Sequence, residues 1–232
     1  MNTFRNKKLR QLSYRAYETR RNIIELSNFV DESLQKELKH RKETARIKVN
    51  AIDDEEERFF LEANHEELIE QVGETFSRLQ RYALFVTAMA TIERNFVLLV
   101  QAAKEILHIN SDFNDRKPGV ILRAIEYLEM QAGITNRSKK SVKLMKDLVS
   151  IRNCIVHSEG CISERDDAEM IRNFIKEIPT IEETSGEIIK LLPGFVENMT
   201  HSIYTFFQVL HSAVEKKAQQ IAPADPAQAP GH

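Results

Sequence analysis

The apolar and polar positions along this chain follow the pattern of long helices. Over about residues 6–47, apolar side chains recur every three or four residues, as they do on one face of a helix. These positions are Ile23, Leu26, Val30, Leu34 and Leu38. An acidic run over residues 53–57 favours a second helix N-terminus, where negative charge complements the helix dipole. Further helices are predicted over about residues 66–108 with a break near Gly73, 118–131, 139–158, 163–178 and 193–217.

Short connections separate these predicted helices. Residues 109–117 indicate a polar loop, Pro118 suits a first helical position, and residues 133–138 indicate a turn. Residues 179–191 predict a small β-hairpin around Ser185-Gly186. The sequence therefore predicts an all-α, up-and-down helical bundle with one small β-hairpin. The expected parts are a long N-terminal helical extension (1–65), the bundle (66–220) and a disordered Ala/Pro-rich tail (221–232).

Composition narrows the class of protein. Charged residues make up 29% of the 232 residues and the formal net charge is −2, so the whole chain is not a polycation. The most apolar window, residues 82–103, is interrupted by Glu93-Arg94-Asn95, which predicts a buried core helix and no membrane span. No apolar segment follows the basic N-terminus, and the two cysteines lie close together, so we expect a reduced, cytoplasmic protein. Phosphate-binding loops, dinucleotide-binding glycine patterns and nucleophile elbows do not occur.

Charge is unevenly distributed along the chain. Residues 1–50 hold 13 Lys and Arg against 6 Asp and Glu, a net charge of +7, and the remainder carries −9. Seven basic residues lie within the first 21 positions, where Glu18 is the only acid: Arg5, Lys7, Lys8, Arg10, Arg15, Arg20 and Arg21. One interpretation is a basic arm that contacts RNA phosphates, with Lys7, Lys8 and Arg10 as its binding residues. The alternatives are a solvated helix face, or a helix that packs on the bundle or on a second protomer.

Residues 151–160, IRNCIVHSEG, set polar groups into an apolar helix. Val142, Met145, Val149, Arg152 and Val156 follow helical spacing, which predicts a core-facing stripe with Arg152 in it. A guanidinium on a buried face requires a partner or an anion. Asn153 and His157 are i, i+4 neighbours on an adjacent face. Gly160 suits the position just past the helix end, which places His157 in the last turn.

This segment resembles the motif of the HEPN superfamily, a helical group rich in metal-independent ribonucleases. The family motif is an Arg, usually followed by a polar residue, with a His four to six residues after the Arg, and Arg152, Asn153 and His157 match it. The architectural resemblance covers roughly residues 66–215. It implies an RNA-cleaving enzyme that needs no cofactor or metal, acts as a homodimer, and belongs to toxin–antitoxin systems or antiphage defence. Such systems also imply an antitoxin or other regulatory partner.

The residue types suit cleavage of RNA by its own 2′-OH. That reaction needs a base for the hydroxyl proton, an acid for the leaving 5′-oxygen and a cation for the charge on phosphorus. A histidine can exchange a proton near neutral pH, and an arginine offers a planar fork of donors to phosphate. Positions i and i+5 are about 140° apart around one helix. Two copies of the helix facing each other across a two-fold axis could instead pool both groups, and the resemblance implies such a composite site.

Glu93 and Arg94 are the remaining candidates. Glu93 has apolar neighbours at helical spacing, so we expect a cationic partner, and Arg152 is the best candidate. HEPN proteins often carry an acidic residue on the core helix that faces the motif, which adds Glu93 to the predicted catalytic set. A purely structural Glu93–Arg152 pair is the alternative. Arg94 lies on a more polar face, where it either contacts RNA or is solvated.

Two other hypotheses stay open. Cys154, His157 and Cys161 offer soft ligands at i, i+3 and i+7, which is a weak indication of a zinc site. The chain could also be a non-catalytic HEPN-like helical dimer that binds a nucleotide or a protein partner. In that case the motif residues have a structural role only.

Overall fold

A computed structural model describes residues 2–117, 119–134 and 138–221, with side chains from Lys7 onward. The structure is 78% helical. Its helices are α1 (Asn2–Asn50), α2 (Glu55–Glu70), α3 (Ser77–Ile106), α4 (Val120–Met130), α5 (Lys139–Ser158), α6 (Ala168–Glu177) and α7 (Phe195–Ile221). A π-helical turn, Gln71–Phe76, joins α2 to α3. Strands β1 (Ile181–Glu183) and β2 (Ile189–Leu191) pair antiparallel, with Ile181 opposite Leu191. The predicted all-α bundle with one small hairpin is confirmed.

Several predicted boundaries need correction. The helix predicted from residue 163 begins only at Ala168. The Ile162 N–H donates to the Glu187 carbonyl of the hairpin at 2.9 Å, and the chain then forms turns in which the Arg165 N–H donates to the Ile162 carbonyl and the Ala168 N–H to the Arg165 carbonyl. The break predicted near Gly73 is a π-helical turn within a continuous helix. Helix α4 begins at Val120, after Gly119 with φ +71°. Pro118, most of the 133–138 turn and the 222–232 tail lie outside the described residues.

The chain divides into two compact units, and the division falls within α1, α3, α5 and α7. Unit 1 comprises Met1–Arg21, Met89–Ser150 and Met199–His232. Its core includes Phe96, whose ring lies 5.6 Å from that of Phe207 in an edge-to-face contact. The start of α1 belongs to this core, since Leu9 is 1% exposed and its carbonyl lies 2.9 Å from the His211 Nε2. Burial of Leu9, Leu12 and Ala16 therefore anchors the basic helix to unit 1 through an apolar face.

Unit 2 comprises Asn22–Ala88 and Ile151–Asn198. The rings of Phe85 and Phe195 meet edge to face at 5.4 Å in its core. A half-buried ion pair joins Arg81 to Asp31 at 2.9 Å, and Asp31 also accepts the Gly194 N–H at 3.3 Å. This carboxylate thereby binds the start of α7 to α1, both within unit 2. The Tyr82 hydroxyl donates to the Ile189 carbonyl and so ties α3 to β2.

The stretch Glu55–Ile106 is the one helix in the described part of the chain that is long and apolar enough to span a membrane by length and composition alone. Of its most apolar window, 56% is buried within the protein. The core helix of a soluble protein passes the same test, so this stretch is only weak evidence for a span.

Candidate functional site

The last turn of α5, which carries the motif, is held in place by backbone pairing with the hairpin. Gly160 has a left-handed φ of +87°, and its N–H donates to the Cys154 carbonyl at 3.1 Å. Its own carbonyl accepts the Ile189 N–H at 2.9 Å. Cys161 then bridges to Ile188 in antiparallel fashion. The motif helix therefore ends at a fixed point against β2, which sets the position of His157 in its last turn.

Tyr82 closes the space around Gly160. A Cβ built on Gly160 would lie 2.9 Å from the Tyr82 Cζ and closer still to its hydroxyl. Burial raises the pKa of this phenol well above its usual value, so the hydroxyl stays a protonated donor to the Ile189 carbonyl. Both the backbone conformation and the neighbouring phenol thus require glycine at position 160.

The buried face of α5 lies one residue earlier than predicted. Met145, Leu148 and Ile151 are fully buried, and Ile155 is 7% exposed. In the predicted stripe, by contrast, Val149 and Arg152 are half-buried and Val156 is 44% exposed. The leucine and isoleucine side chains on the observed face bury more apolar area than the valines of the predicted stripe would. Arg152 consequently lies at the edge of the buried face and is half-buried.

The structure brings Arg152 and Asn153 together. The Arg152 Nη1 donates to the Asn153 Oδ1 at 3.0 Å, and both side chains are half-buried. His157 is exposed one turn further along. Five residues of α-helix turn His157 about 140° away from Arg152. The end of α5 therefore presents an oriented cation and an accessible imidazole on different sides of one helix.

Glu93 and Arg94 lie on α3. Met89, Phe96 and Val100, which neighbour Glu93 at helical spacing, are fully buried, as the spacing predicted. Glu93 itself is half-buried and engaged in a polar interaction. Arg94 is exposed, which is compatible with either of its predicted roles. The pairing of Glu93 with Arg152 stays a prediction.

The predicted basic arm is a docked helix. Lys8 pairs with Glu105 of α3, so this one of the three predicted RNA-binding cations is engaged within unit 1. Lys7 and Arg10 are exposed. The side chain of Arg5 lies outside the described residues. Docking through the buried face and phosphate binding through the exposed face are compatible, because a helix presents different residues on its two sides.

The cysteines have different surroundings. Cys154 is fully buried, its Sγ donates to the Cys161 carbonyl at 3.3 Å, and burial raises the pKa of its thiol to about 11. Cys161 is half-buried, with its Sγ 3.3 Å from the Ser163 Oγ. Within the described ranges, no three His, Cys, Asp or Glu side chains are close enough together to hold a metal ion.

This difference predicts selective alkylation. In mildly alkaline buffer, iodoacetamide is expected to modify Cys161 in the folded protein and Cys154 only after unfolding, because the thiolate is the reactive form. Peptide mass spectrometry with and without denaturant measures both sites, and Cys161→Ser is the control that should abolish labelling of the folded protein. Equal labelling of both thiols before unfolding would contradict the burial of Cys154.

A polar cluster in unit 1 was not predicted from the sequence. The Arg20 Nη2 lies 3.1 Å from the His201 Nδ1, and the Arg20 guanidinium lies 5.4 Å from the centre of the Tyr204 ring. Beside them is a small cavity lined by Arg20, Asn95 and Thr200. The Arg20 Nε, Asn95 Oδ1 and Thr200 Oγ1 are buried there without a hydrogen-bond partner among the described residues. One water could accept from Arg20 and donate to the other two oxygens. In the sequence, the one indication of this polar cluster is Asn95, a polar residue within the most apolar predicted helix.

The chain matches no protein-family model, no curated protein and no solved structure. The resemblance to HEPN proteins therefore depends on Arg152, Asn153 and His157 and on the helical architecture.

Proposed function

We propose that this protein is a metal-independent endoribonuclease that cleaves RNA through attack of the 2′-OH on the adjacent phosphorus. The observation that supports this function best is the end of α5, where an exposed His157 follows a half-buried Arg152 held by Asn153. Asn153 accepts one guanidinium N–H, and the remaining donors are oriented by that contact. An arginine restrained in this way suits a phosphate whose negative charge increases in the transition state.

Each group has a role in the proposed reaction. His157 removes the 2′-OH proton, and the oxygen forms a bond to phosphorus while the bond to the 5′-oxygen breaks. A second histidine, His157 of the other copy, protonates the leaving oxygen. The products are a 2′,3′-cyclic phosphate and a 5′-OH end. Arg152 stabilises the charge on the phosphoryl oxygens, and Glu93 is proposed to orient Arg152. Exposed Arg94, Lys7 and Arg10 are proposed to contact RNA phosphates, and Lys8 would do so only by leaving Glu105.

The proposed site is composite. Because Arg152 and His157 are turned away from each other on one helix, a homodimer that brings two α5 ends together supplies both groups to one phosphate. A role in toxin–antitoxin or antiphage defence, with an antitoxin or other regulatory partner, is proposed from the resemblance alone.

Mixing two inactive variants tests the composite site. After subunit exchange, the mixed dimer of His157→Ala and Arg152→Ala proteins keeps one Arg152 and one His157. It is therefore expected to cleave RNA faster than either variant alone, but more slowly than wild type, which has both histidines. Release of a fluorescent RNA fragment measures cleavage, and each variant incubated with a differently tagged copy of itself is the control. Light scattering at the same concentrations gives the oligomeric state. Cleavage by a protein that is only monomeric would overturn the composite site.

The alternative function is a non-catalytic helical dimer that binds a nucleotide or a protein partner. It is favoured by α2, in which no residue is buried and in which Phe59 and Phe60 are 67% and 60% exposed. Exposed aromatic side chains of this size are typical of interaction surfaces. A cleavage assay in EDTA separates the functions, because the nuclease cuts RNA without metal and loses activity with His157→Ala, whereas the binding protein cuts in neither form.

A further inference from the structure

The outer side of the first part of α1 carries a stripe that combines basic and aromatic residues. Its members recur at steps of three and four residues and lie within roughly 80° of one another around the helix. They are Lys7, Arg10, Tyr14, Tyr17 and Arg21, here called the outer stripe. All five belong to unit 1.

The outer stripe lies opposite the face that docks the helix. Leu9, Leu12 and Ala16 are buried on the inner side, whereas Tyr14 is 66% and Tyr17 43% exposed. Neither ring is therefore needed to anchor α1 in unit 1. Two tyrosines one turn apart among cations are also unusual for a solvated face, which normally carries charged and small polar residues. The rings thus form an exposed pair of flat surfaces.

The charges of the outer stripe are available to an anion. Lys7 and Arg10 are exposed. Arg21 contacts Glu18 at 2.6 Å, with 48% of the arginine side chain exposed. Arg21 takes part in a further interaction as well. Surface ion pairs contribute little stability, so their exchange for a contact with phosphate costs little. The stripe extends about 21 Å from Lys7 to Arg21, at 1.5 Å per helical residue.

From this arrangement we infer that the outer stripe binds single-stranded RNA, with bases stacked on Tyr14 and Tyr17 and phosphates on Lys7, Arg10 and Arg21. Single-strand-binding proteins combine cations that follow the backbone with aromatic rings on which bases stack. This inference rests on the proposed function, which supplies RNA as the ligand. It narrows that function by assigning unpaired RNA as the substrate class.

The combination of cations with exposed aromatic rings favours single-stranded RNA over two other ligands. A duplex keeps its base faces stacked inside, so it would use the cations and leave the tyrosines without contacts. A membrane-surface helix inserts a broad apolar face that is rich in Leu, Phe or Trp. Among the side chains described over residues 7–21, the exposed large apolar groups are Tyr14 and Tyr17 alone. The apolar residues Leu9, Leu12 and Ala16 of this segment are instead buried within unit 1.

Binding of a labelled 2′-O-methyl RNA oligonucleotide tests the inference separately from catalysis, because such an oligonucleotide lacks the attacking hydroxyl. In fluorescence anisotropy, Tyr14→Ala and Tyr17→Ala are each expected to weaken binding about 5- to 150-fold, from stacking of 1–3 kcal/mol per base. The salt dependence should not change in these variants. Lys7→Ala and Arg10→Ala should each lower its log–log slope by about 0.7, because each removes one phosphate contact on a single strand.

Matched controls come from the same chain. Phe29→Ala removes a ring on α1 that is 67% exposed and lies outside the outer stripe, and Arg15→Ala removes an exposed cation on α1 that also lies outside it. Both should bind RNA like wild type, and Tyr14→Phe with Tyr17→Phe should keep the affinity. Wild-type affinity of both tyrosine-to-alanine variants, duplex binding as tight as single-strand binding, or binding only to anionic phospholipid vesicles would each overturn the inference. If the protein binds RNA as expected but does not cleave it, the proposed function is contradicted, whereas the inference that the outer stripe binds single-stranded RNA is supported.

Discussion

Replacing His157 with alanine is expected to lower the rate of RNA cleavage by about 10²–10⁴-fold, the usual contribution of a general acid–base group. Replacing Arg152 with alanine is expected to lower it by about 10²–10³-fold, the usual cost of removing a donor to the charge that develops in the transition state. His157 is exposed and Arg152 half-buried at the end of α5, so neither substitution removes a core contact. The loss should therefore occur in proteins that keep the wild-type circular dichroism spectrum and melting temperature. Cleavage of a labelled RNA under single-turnover conditions measures it, because that experiment isolates the chemical step from product release.

Val156→Ala is the matched control for these two variants. Val156 lies between the two motif residues in the sequence and is 44% exposed, so its truncation changes the same helix end without removing a polar group. It should cleave RNA at nearly the wild-type rate, and EDTA should not affect any of the rates. Wild-type cleavage by His157→Ala or by Arg152→Ala would show that the site is elsewhere. The Arg20–His201 contact in unit 1 would then be the next arginine–histidine pair to test.

Helical periodicity predicted α5 with its observed limits, and turn residues predicted the hairpin, because both patterns are local in the sequence. Periodicity did not predict which side of α5 is buried. Apolar residues lie on two overlapping faces of this helix, and the face with Leu148 and Ile151 is the buried one. Which of the two faces is buried depends on the space that the surrounding core offers, and the sequence of one helix does not contain that information.

Contacts between residues distant in sequence account for the other features that the sequence pattern did not predict. Residues 161–162 pair with the hairpin some 25 residues later, which no local propensity encodes, and turns occupy the chain from there to the start of α6 at Ala168. The Arg20–His201 contact joins residues 181 positions apart. The basic N-terminal segment could be recognised from its charge, but not its docking through Leu9, because a surface helix and a docked helix have the same apolar spacing.

Gly160 combines a local sequence pattern with a contact between residues distant in the sequence. Its place after the last periodic residue of α5 predicted a helix end, and the structure adds the phenol of Tyr82 as a second reason for glycine. Helix end, hairpin and motif meet at this residue, three positions after His157. A change at Gly160 should therefore affect both the stability of the protein and the position of the proposed site.

Gly160→Ala is accordingly expected to lower the free energy of unfolding by about 2–5 kcal/mol, from left-handed strain of roughly 1–2 kcal/mol and overpacking of roughly 1–3 kcal/mol against Tyr82. Urea denaturation measures it. Gly119→Ala is the control, because Gly119 has φ +71° with no atom within 4 Å of the added Cβ, so it should lose only the strain component. Tyr82→Phe removes the nearest atom, and the double variant should be more stable than the sum of the single losses predicts. Strict additivity, or a loss no larger than that of Gly119→Ala, would mean that Tyr82 does not restrict this position.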